Sequence, residues 1–306
     1  MNLSTTAGTI SPAVSAVFAS GVRTESVSVT QAGTGKTITA TRTGGSETGT
    51  SNSFTVNPGA PAAVTLAGAA TDLTSGSSRS YTATVKDANG NVATNFGGSV
   101  TFSQTTGSGS LTGLGSVNAV SGVATISLTG NAAGSVTIKA TASSIDSNTL
   151  TFNVIAGALN KFAIANISSP QTAGSAFGIT ITAQDANSNT VPSFTNTVNL
   201  STTAGAITPT VSGAFAAGVR TENVTVTQAG LGKTITATRT GGGETGTSNT
   251  FDVNAGALAK FAISTISDPQ TAGTAFGITI TAQDANSNTV PSFTNTVNLR
   301  DRKSVV

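Results

Sequence analysis

The chain of 306 residues contains no cysteine, no histidine and no tryptophan, and a single tyrosine, Tyr81. Without cysteine there are no disulfide staples and no thiolate metal sites, although this alone does not fix the redox compartment. With histidine also missing, the commonest general base and the strongest side-chain nucleophile are both excluded, and no serine stands in a nucleophile-elbow setting beside a base. Charge is scarce too, at 8% of residues against roughly 25% in ordinary soluble domains. The 14 basic and 12 acidic residues include Arg300, Asp301, Arg302 and Lys303, so the chain ahead of that tail is balanced. The net charge of +2 therefore marks no basic patch, and no nucleic-acid or anionic-membrane partner is expected. No apolar run approaches the ~18 residues of a membrane span, and residues 1–20 lack the charged start and apolar core of a signal peptide.

What the chain has in abundance is glycine, threonine, serine and alanine, in an order that repeats. Gly157 to Leu200 return 99 residues later as Gly256 to Leu299, changed only at Asn160/Ala259, Ala165/Ser264, Asn166/Thr265, Ser169/Asp268 and Ser175/Thr274. Val198 to Asn254 match Met1 to Asn57 at an offset of 197, with Arg23/Arg220, Glu25/Glu222, Lys36/Lys233 and Arg42/Arg239 retained. A diverged copy fills the gap. A period near one hundred residues is too long for solenoid or propeller repeats and suits one small domain per repeat. The expected divisions are 1–57, the later part of a repeat; 58–156, a complete diverged repeat; 157–255, a complete repeat; and 256–300, the earlier part of another. Residues 301–306 form a tail outside the pattern.

Within the complete copy, Phe162/Ile164, Phe177/Ile179/Ile181/Ala183, Val198/Leu200, Val224/Val226, Ile235/Ala237 and Phe251/Val253 alternate with polar neighbours. That period of two puts one face of each strand inward and leaves Thr and Ser on the other. Gly and Asn turns separate the runs, and helical periodicity is absent. About six or seven short strands in ~100 residues predict an all-β chain of antiparallel β-sandwiches. The copies meet at short connections, such as Asn57-Pro58-Gly59-Ala60-Pro61 and Asn254-Ala255-Gly256-Ala257, without Gly/Ser-rich spacers, which implies a semi-rigid array.

The opening Gly-Ala-Leu, the turn Ile181 to Asn189 (Ile-Thr-Ala-Gln-Asp-Ala-Asn-Ser-Asn), its cousin Val85 to Asn91 and the closing Phe251-Asp252-Val253 resemble bacterial immunoglobulin-like repeats of the invasin/intimin type. The resemblance extends to Leu299. It implies tandem immunoglobulin-like sandwiches serving as the stalk of an extracellular, cell-surface adhesin, with a surface or host partner bound by parts of the parent protein that are not present here. The binding tip, membrane barrel and Leu-Pro-x-Thr-Gly sorting signal of complete adhesins are missing from this stretch.

Three motifs invite chemistry. Gly33-Thr34-Gly35-Lys36-Thr37 and Gly230-Leu231-Gly232-Lys233-Thr234 look like the end of a phosphate-binding loop, but Thr30 and Thr227 occupy the place of its first glycine and a strand pattern follows instead of a helix, so a hairpin-type turn is expected. Asp87/Asn89/Asn91 and Asp185/Asn187/Asn189 match the first oxygen positions of a calcium loop. Val92 and Thr190 stand where that loop needs glycine, Gly98 and Asn196 where it needs glutamate, and an Asx-type turn is expected. Arg220 and Glu222 share the parity of Val224 and Val226, and so face the core side at one end of their strand. Lys161 has the opposite parity to Phe162, and the diverged copy is read as carrying Ala124 in place of Glu222, which argues against a catalytic acid or a Lys-Asn isopeptide crosslink. A rim salt bridge from Glu222 to Arg220 or Arg239, and from Glu25 to Arg23 or Arg42, is expected instead. No catalytic, cofactor-binding or metal-ligating residue is expected, and no cofactor. A carbohydrate-binding accessory module is the alternative, but it wants exposed aromatic platforms that this chain scarcely has.

Both ends read as cuts through a repeat. Met1 stands where the repeat has Val198, as if a valine codon were taken as a start, and a longer upstream reading frame is expected. Asp301 to Val306 back-translate as GAT CGG AAG AGC GTC GTG, which looks like read-through of a sequencing adapter. The incomplete ends, with Val27 and Val29 on one and Ile278 and Ile280 on the other, are expected to associate head to tail.

Overall fold

A computed structural model describes residues 1–300; the tail expectation for 301–306 lies outside the described residues. Among the described residues there is no helix, and nearly every strand pairing is antiparallel. The chain divides into two compact units, Met1–Ile155 and Ala156 to the C-terminus.

In the second unit the alternating runs build two facing layers. One is a sheet ordered Lys161–Ile164, Ala176–Gln184, Val219–Val226, Ile207–Thr208. The other is formed by Val198–Thr202, Ile235–Arg239 and Thr245–Thr247, continued by Gln171–Thr172, Phe251–Asn254 and Gly230–Lys233. Phe162, Ile179, Ile181, Val198, Leu200, Val224, Val226, Ile235, Ala237, Phe251 and Val253 point between the layers and are buried together. Each came from an alternating run, because a β-branched or aromatic residue at every second position can enter the core only from one face of the pleat. The polar positions form hydroxyl pairs on the outer face, Thr180 with Thr221 at 3.3 Å and Thr236 with Thr247 at 3.1 Å.

The first unit repeats this plan. Pro61–Ala67, Ser78–Asp87, Val123–Gly130 and Leu111–Thr112 form one sheet, and Ser99–Thr106, Gly115–Asn118, Gly134–Ala142, Leu150–Ile155 and Leu73–Thr74 the other. Tyr81 stacks on Phe152 with centroids 5.6 Å apart at the centre of that core. Gly134–Ala142 is one unbroken strand, whereas its counterpart is split into Gly230–Lys233 and Ile235–Arg239. The pairing explains the break. Gly134 and Val136 oppose Val154 and Phe152, while Gly230 and Lys233 oppose Val253 and Phe251. One extra residue makes a β-bulge. Gly232 sits in it at φ +62°, a left-handed conformation that costs any other L-residue about 1–2 kcal/mol. The glycine-lysine string is therefore a bulged strand and not the hairpin-type turn expected from the sequence.

Residues 1–57 and 256–300 are built from the same sequences but bury little. Phe18, Val22, Val27, Phe261, Ile263, Phe276 and Ile278 are exposed, and neither core cluster includes a residue from these stretches.

Gly246 provides an internal test of sandwich closure. A Cβ there would fall on the carbonyl of Phe162 in the facing sheet, while at the equivalent Gly49 it would meet nothing within 4 Å. Gly246→Ala is expected to destabilise the second unit by about 1–3 kcal/mol or more through overpacking, measured as the urea unfolding midpoint. An unchanged midpoint would show that the two layers are not held this closely.

Candidate functional site

The buried charges of both units each hold a glycine amide: Asp87 that of Gly59, Asp185 that of Gly157 and Asp284 that of Gly256. Asp87 ends the strand Ser78–Asp87 and is buried, as are Asp185 and Asp284. A carboxylate out of water must be matched by donors, and here the backbone supplies them. Asp87 Oδ1 accepts the amides of Asn89 and Asn91, both at 2.9 Å, which is the Asx-type turn read from the sequence. Its Oδ2 accepts the amide of Gly59 at 2.9 Å and Nδ2 of Asn91 at 2.9 Å. The carboxylate thus ties the connecting segment at Gly59 to the turn.

Asn91 carries the connection further. Its Nδ2 donates a second hydrogen bond to the carbonyl of Thr30 at 2.8 Å, and its Oδ1 accepts the amide of Ala32 at 3.0 Å. Both amide hydrogens and the carbonyl of Asn91 are engaged, and a flipped amide would set oxygen against the Thr30 carbonyl and the Asp87 carboxylate. The side chain mimics a strand residue and pairs residues 30–32 to the loop of the following repeat.

The second unit builds the same clamp from Asp284. Its oxygens accept the amides of Asn286 at 2.9 Å, Asn288 at 2.8 Å and Gly256 at 2.8 Å, and Nδ2 of Asn288 at 2.8 Å. Asn288 Nδ2 then reaches the carbonyl of Thr227 at 2.8 Å, and Ala229 donates to Asn288 Oδ1 at 2.9 Å. Asp185 holds Gly157, Asn187 and Asn189 in the same way, each amide bond 2.8 to 2.9 Å.

These donors settle the charge state. Hydrogen bonds from the Asn91 side chain, then from the Gly59 amide, hold the Asp87 carboxyl below the ordinary carboxylate range. At Asp284 burial pushes the carboxyl up, and the bonds from Asn288 and Gly256 overcome it. A cation needs oxygens turned toward it, yet N–H groups face the Asp87 and Asp284 carboxylates and Asn91 Oδ1 is turned to Ala32. Among the described residues no cluster of acidic side chains could hold a metal ion.

The other sequence candidates are structural. Glu222 Oε2 accepts Nε of Arg220 at 2.9 Å and the amide of Gly213 at 2.7 Å. Arg220, then the Gly213 amide, lowers the Glu222 carboxyl against the effect of burial. Arg239 pairs instead with Glu244 across a turn, at 3.0 Å. Gly213 lets the guanidinium approach, since a Cβ there would fall on it. The equivalent Ala16 reaches Glu25 at 3.3 Å, while Arg23 keeps its 2.7 Å bond to Glu25. Register corrects the alignment of the diverged copy. Ala124 opposes Ala83 as Arg220 opposes Ile181, so Ala124 takes the place of Arg220 and buried Ile126 that of Glu222. Both charges of the pair are replaced together, as a structural pair allows. Lys161 Nζ donates to Ser188 Oγ at 2.9 Å, and Lys36 Nζ to the carbonyl of Thr6 and to Gln31 Oε1, each at 3.2 Å.

Sequence reasoning missed the receiving side of the clamp, Thr30/Ala32 and Thr227/Ala229. The repeated Thr-Gln-Ala-Gly was the available signal, but nothing local says that an asparagine 61 residues away will bond it.

Two measurements follow. A carboxyl lowered on folding contributes fully above its unfolded value of about 3.9 and loses that contribution as pH falls through the folded value. The Gly59 and Gly256 amide NMR shifts should therefore hold steady from neutral pH and titrate with a midpoint below ~3.9; a midpoint at or above it would contradict the clamp. Glu222→Gln, at a partly exposed rim, should cost no more than about 1 kcal/mol in urea unfolding.

No family model matches the chain, and no curated protein matches it. Among solved structures it is similar to the Escherichia coli adhesin FdeC, 20% identical over 78% of this chain and 79% of that one, with a TM-score of 0.34. It is similar to the D0-D1 domain of intimin, 21% identical over 62% of this chain and 96% of that one, with a TM-score of 0.25. It is also similar to domains 4-9 of the surface-layer protein SbsC, 22% identical over 79% of this chain and 38% of that one, with a TM-score of 0.26.

Proposed function

We propose that this chain is a stalk or spacer segment of a bacterial cell-surface or secreted adhesin-like protein, made of immunoglobulin-like repeats at 1–57, 58–156, 157–255 and 256–300. The observation that carries the reading is the recurrence of one joint. Asp87 with Asn91, and Asp284 with Asn288, make the same bonds to the connecting glycine and to the Thr-Gln-Ala segment of the preceding repeat. A spacer has to fix each repeat against its neighbour, and buried charge is concentrated at that task. A ligand-binding enzyme would instead hold convergent polar groups with unused hydrogen-bonding capacity. Against the carbohydrate alternative, Tyr81 is buried, and the exposed Phe18, Phe261 and Phe276 correspond to Phe215 and Phe162 inside the complete core and to Phe177 packed against it.

Asn91→Ala and Asn288→Ala should free the joints without touching either core. Elastase cleavage at residues 57–60 and 254–259 is expected to quicken about tenfold, the factor matching one net hydrogen bond of about 1.4 kcal/mol. Unchanged cleavage would remove the clamp from the account. Antibodies against residues 58–255 should label intact cells producing the protein; labelling only after permeabilisation would refute the surface reading.

A further inference from the structure

Asparagine followed by glycine occurs once in the chain, at Asn89-Gly90. Both residues are exposed, at the tip of the turn that runs from Asp87 to Asn91. At the equivalent positions the two close copies carry Asn187-Ser188 and Asn286-Ser287. The residue after the asparagine is left-handed in all three turns, Gly90 at φ +83°, Ser188 at φ +68° and Ser287 at φ +70°, a conformation that suits glycine and strains serine.

The two serines are tethered. Lys161 Nζ donates to Ser188 Oγ at 2.9 Å and Lys260 Nζ to Ser287 Oγ at 2.7 Å, which ties each turn to the strand beside it. Register identifies the counterparts in the diverged copy. Lys161 opposes Gln184 as Ala63 opposes Lys86, so Ala63 and Gly90 replace both partners of that bond. A Cβ on Gly90 would meet nothing within 4 Å. The Gly90 amide donates to the carbonyl of Asp87 at 3.0 Å, a bond at an exposed turn.

We propose that Asn89 is a site of spontaneous succinimide formation, and that the product loosens the joint held by Asp87 and Asn91. The Gly90 nitrogen, released from the Asp87 carbonyl, attacks Cγ of Asn89. The new N–C bond closes a ring, the Cγ–Nδ2 bond breaks, and ammonia leaves with the proton from Gly90. Water then opens the ring at either carbonyl, giving aspartate or isoaspartate. Glycine favours the first step because no side chain crowds its nitrogen and its backbone turns freely. In isoaspartate the main chain runs through the former side chain and gains one methylene between Asp87 and Asn91. The turn has no slack for it: Asp87 N donates to Asn91 O and Asn91 N to Asp87 Oδ1, both at 2.9 Å. Lengthening the turn displaces Asn91, which carries the bonds to Thr30 and Ala32.

The loosening rests on the clamp described above, and the test separates the two. The unaltered chain, aged at mildly alkaline pH and mapped by mass spectrometry, should convert Asn89 to aspartate and isoaspartate about tenfold faster than Asn286, and Gly90→Ser should bring the rate at 89 down to that of Asn286. Elastase cleavage at residues 57–60 should quicken with the fraction of isoaspartate, while cleavage at 254–259 stays constant. In Asn91→Ala the conversion should proceed, and cleavage at 57–60, already fast, should not change further. A clamp that does not operate shows in freshly prepared Asn91→Ala, before any ageing. Asn89 remaining an amide, or converting no faster than Asn286, would overturn the site. Isoaspartate at 89 without faster cleavage of the unaltered chain would overturn its effect on the joint.

Discussion

A carboxylate withdrawn from water is tolerable only inside a shell of donors, and at Asp87 and Asp284 that requirement organises the joint between repeats. Two of the four donors come from the turn that follows the aspartate, one from the connecting glycine, and one from an asparagine whose remaining polar atoms are then directed at the preceding repeat. Local satisfaction and long-range connection are thus the same set of bonds. An asparagine is needed at 91 and 288 because only a primary amide offers two donors and an acceptor in one plane. Aspartate would place a second negative charge beside the first, and alanine would leave the Thr30 carbonyl and the Ala32 amide unpaired.

Closure of the sandwich is the second constraint, and the repeats isolate it. Gly246 and Gly49 have the same nearest neighbours in sequence, and 176–180 and 275–279 are identical. Their structures differ wherever the facing layer is present in one case and missing in the other. Strand formation here is a property of pairing and burial more than of residue preference. A two-stranded ribbon such as Lys260–Ile263 with Ile280–Gln283 lies at the margin of what water tolerates.

This ordering explains what could be read from the sequence. The long strands were legible because alternation of Phe, Ile and Val reports directly which face is covered, and the side chains in those runs are the buried ones. The Asx turn was legible for the same reason of locality. The bulge at Gly230–Lys233 was not, since it arises from one residue counted against a partner strand twenty positions away. Ala124 was misplaced by one pleat because two equivalent positions on a strand differ by two residues, and only pairing with Ala83 distinguishes them. The cross-joint bonds of Asn91 were illegible, since a turn with a satisfied aspartate is complete in itself.

Scarcity of charge acquires a structural reading from the outer faces. Thr39 with Thr50, Thr82 with Thr125, Thr137 with Thr151 and Thr236 with Thr247 bond hydroxyl to hydroxyl across neighbouring strands, so the pleat's solvent side is polar without being ionic. Such a surface cannot rely on charge repulsion to keep sheet edges apart. In the complete sandwiches one edge of each of these sheets is short instead: Leu111–Thr112 and Gly115–Asn118 in one, Ile207–Thr208 and Thr245–Thr247 in the other, while Pro61–Ala67 is a longer edge that opens on proline. Shortness at the edge takes over the protective role that lysine and glutamate fill in more charged sheets. The stretch 275–283 lacks that protection, because its sequence is that of the long inner strand Ala176–Gln184 and carries no charge. A sequence adapted to the interior of a sheet keeps its strand where a neighbour pairs it, as Val219–Val226 does for residues 176–182, and at 275–279 the same residues form none.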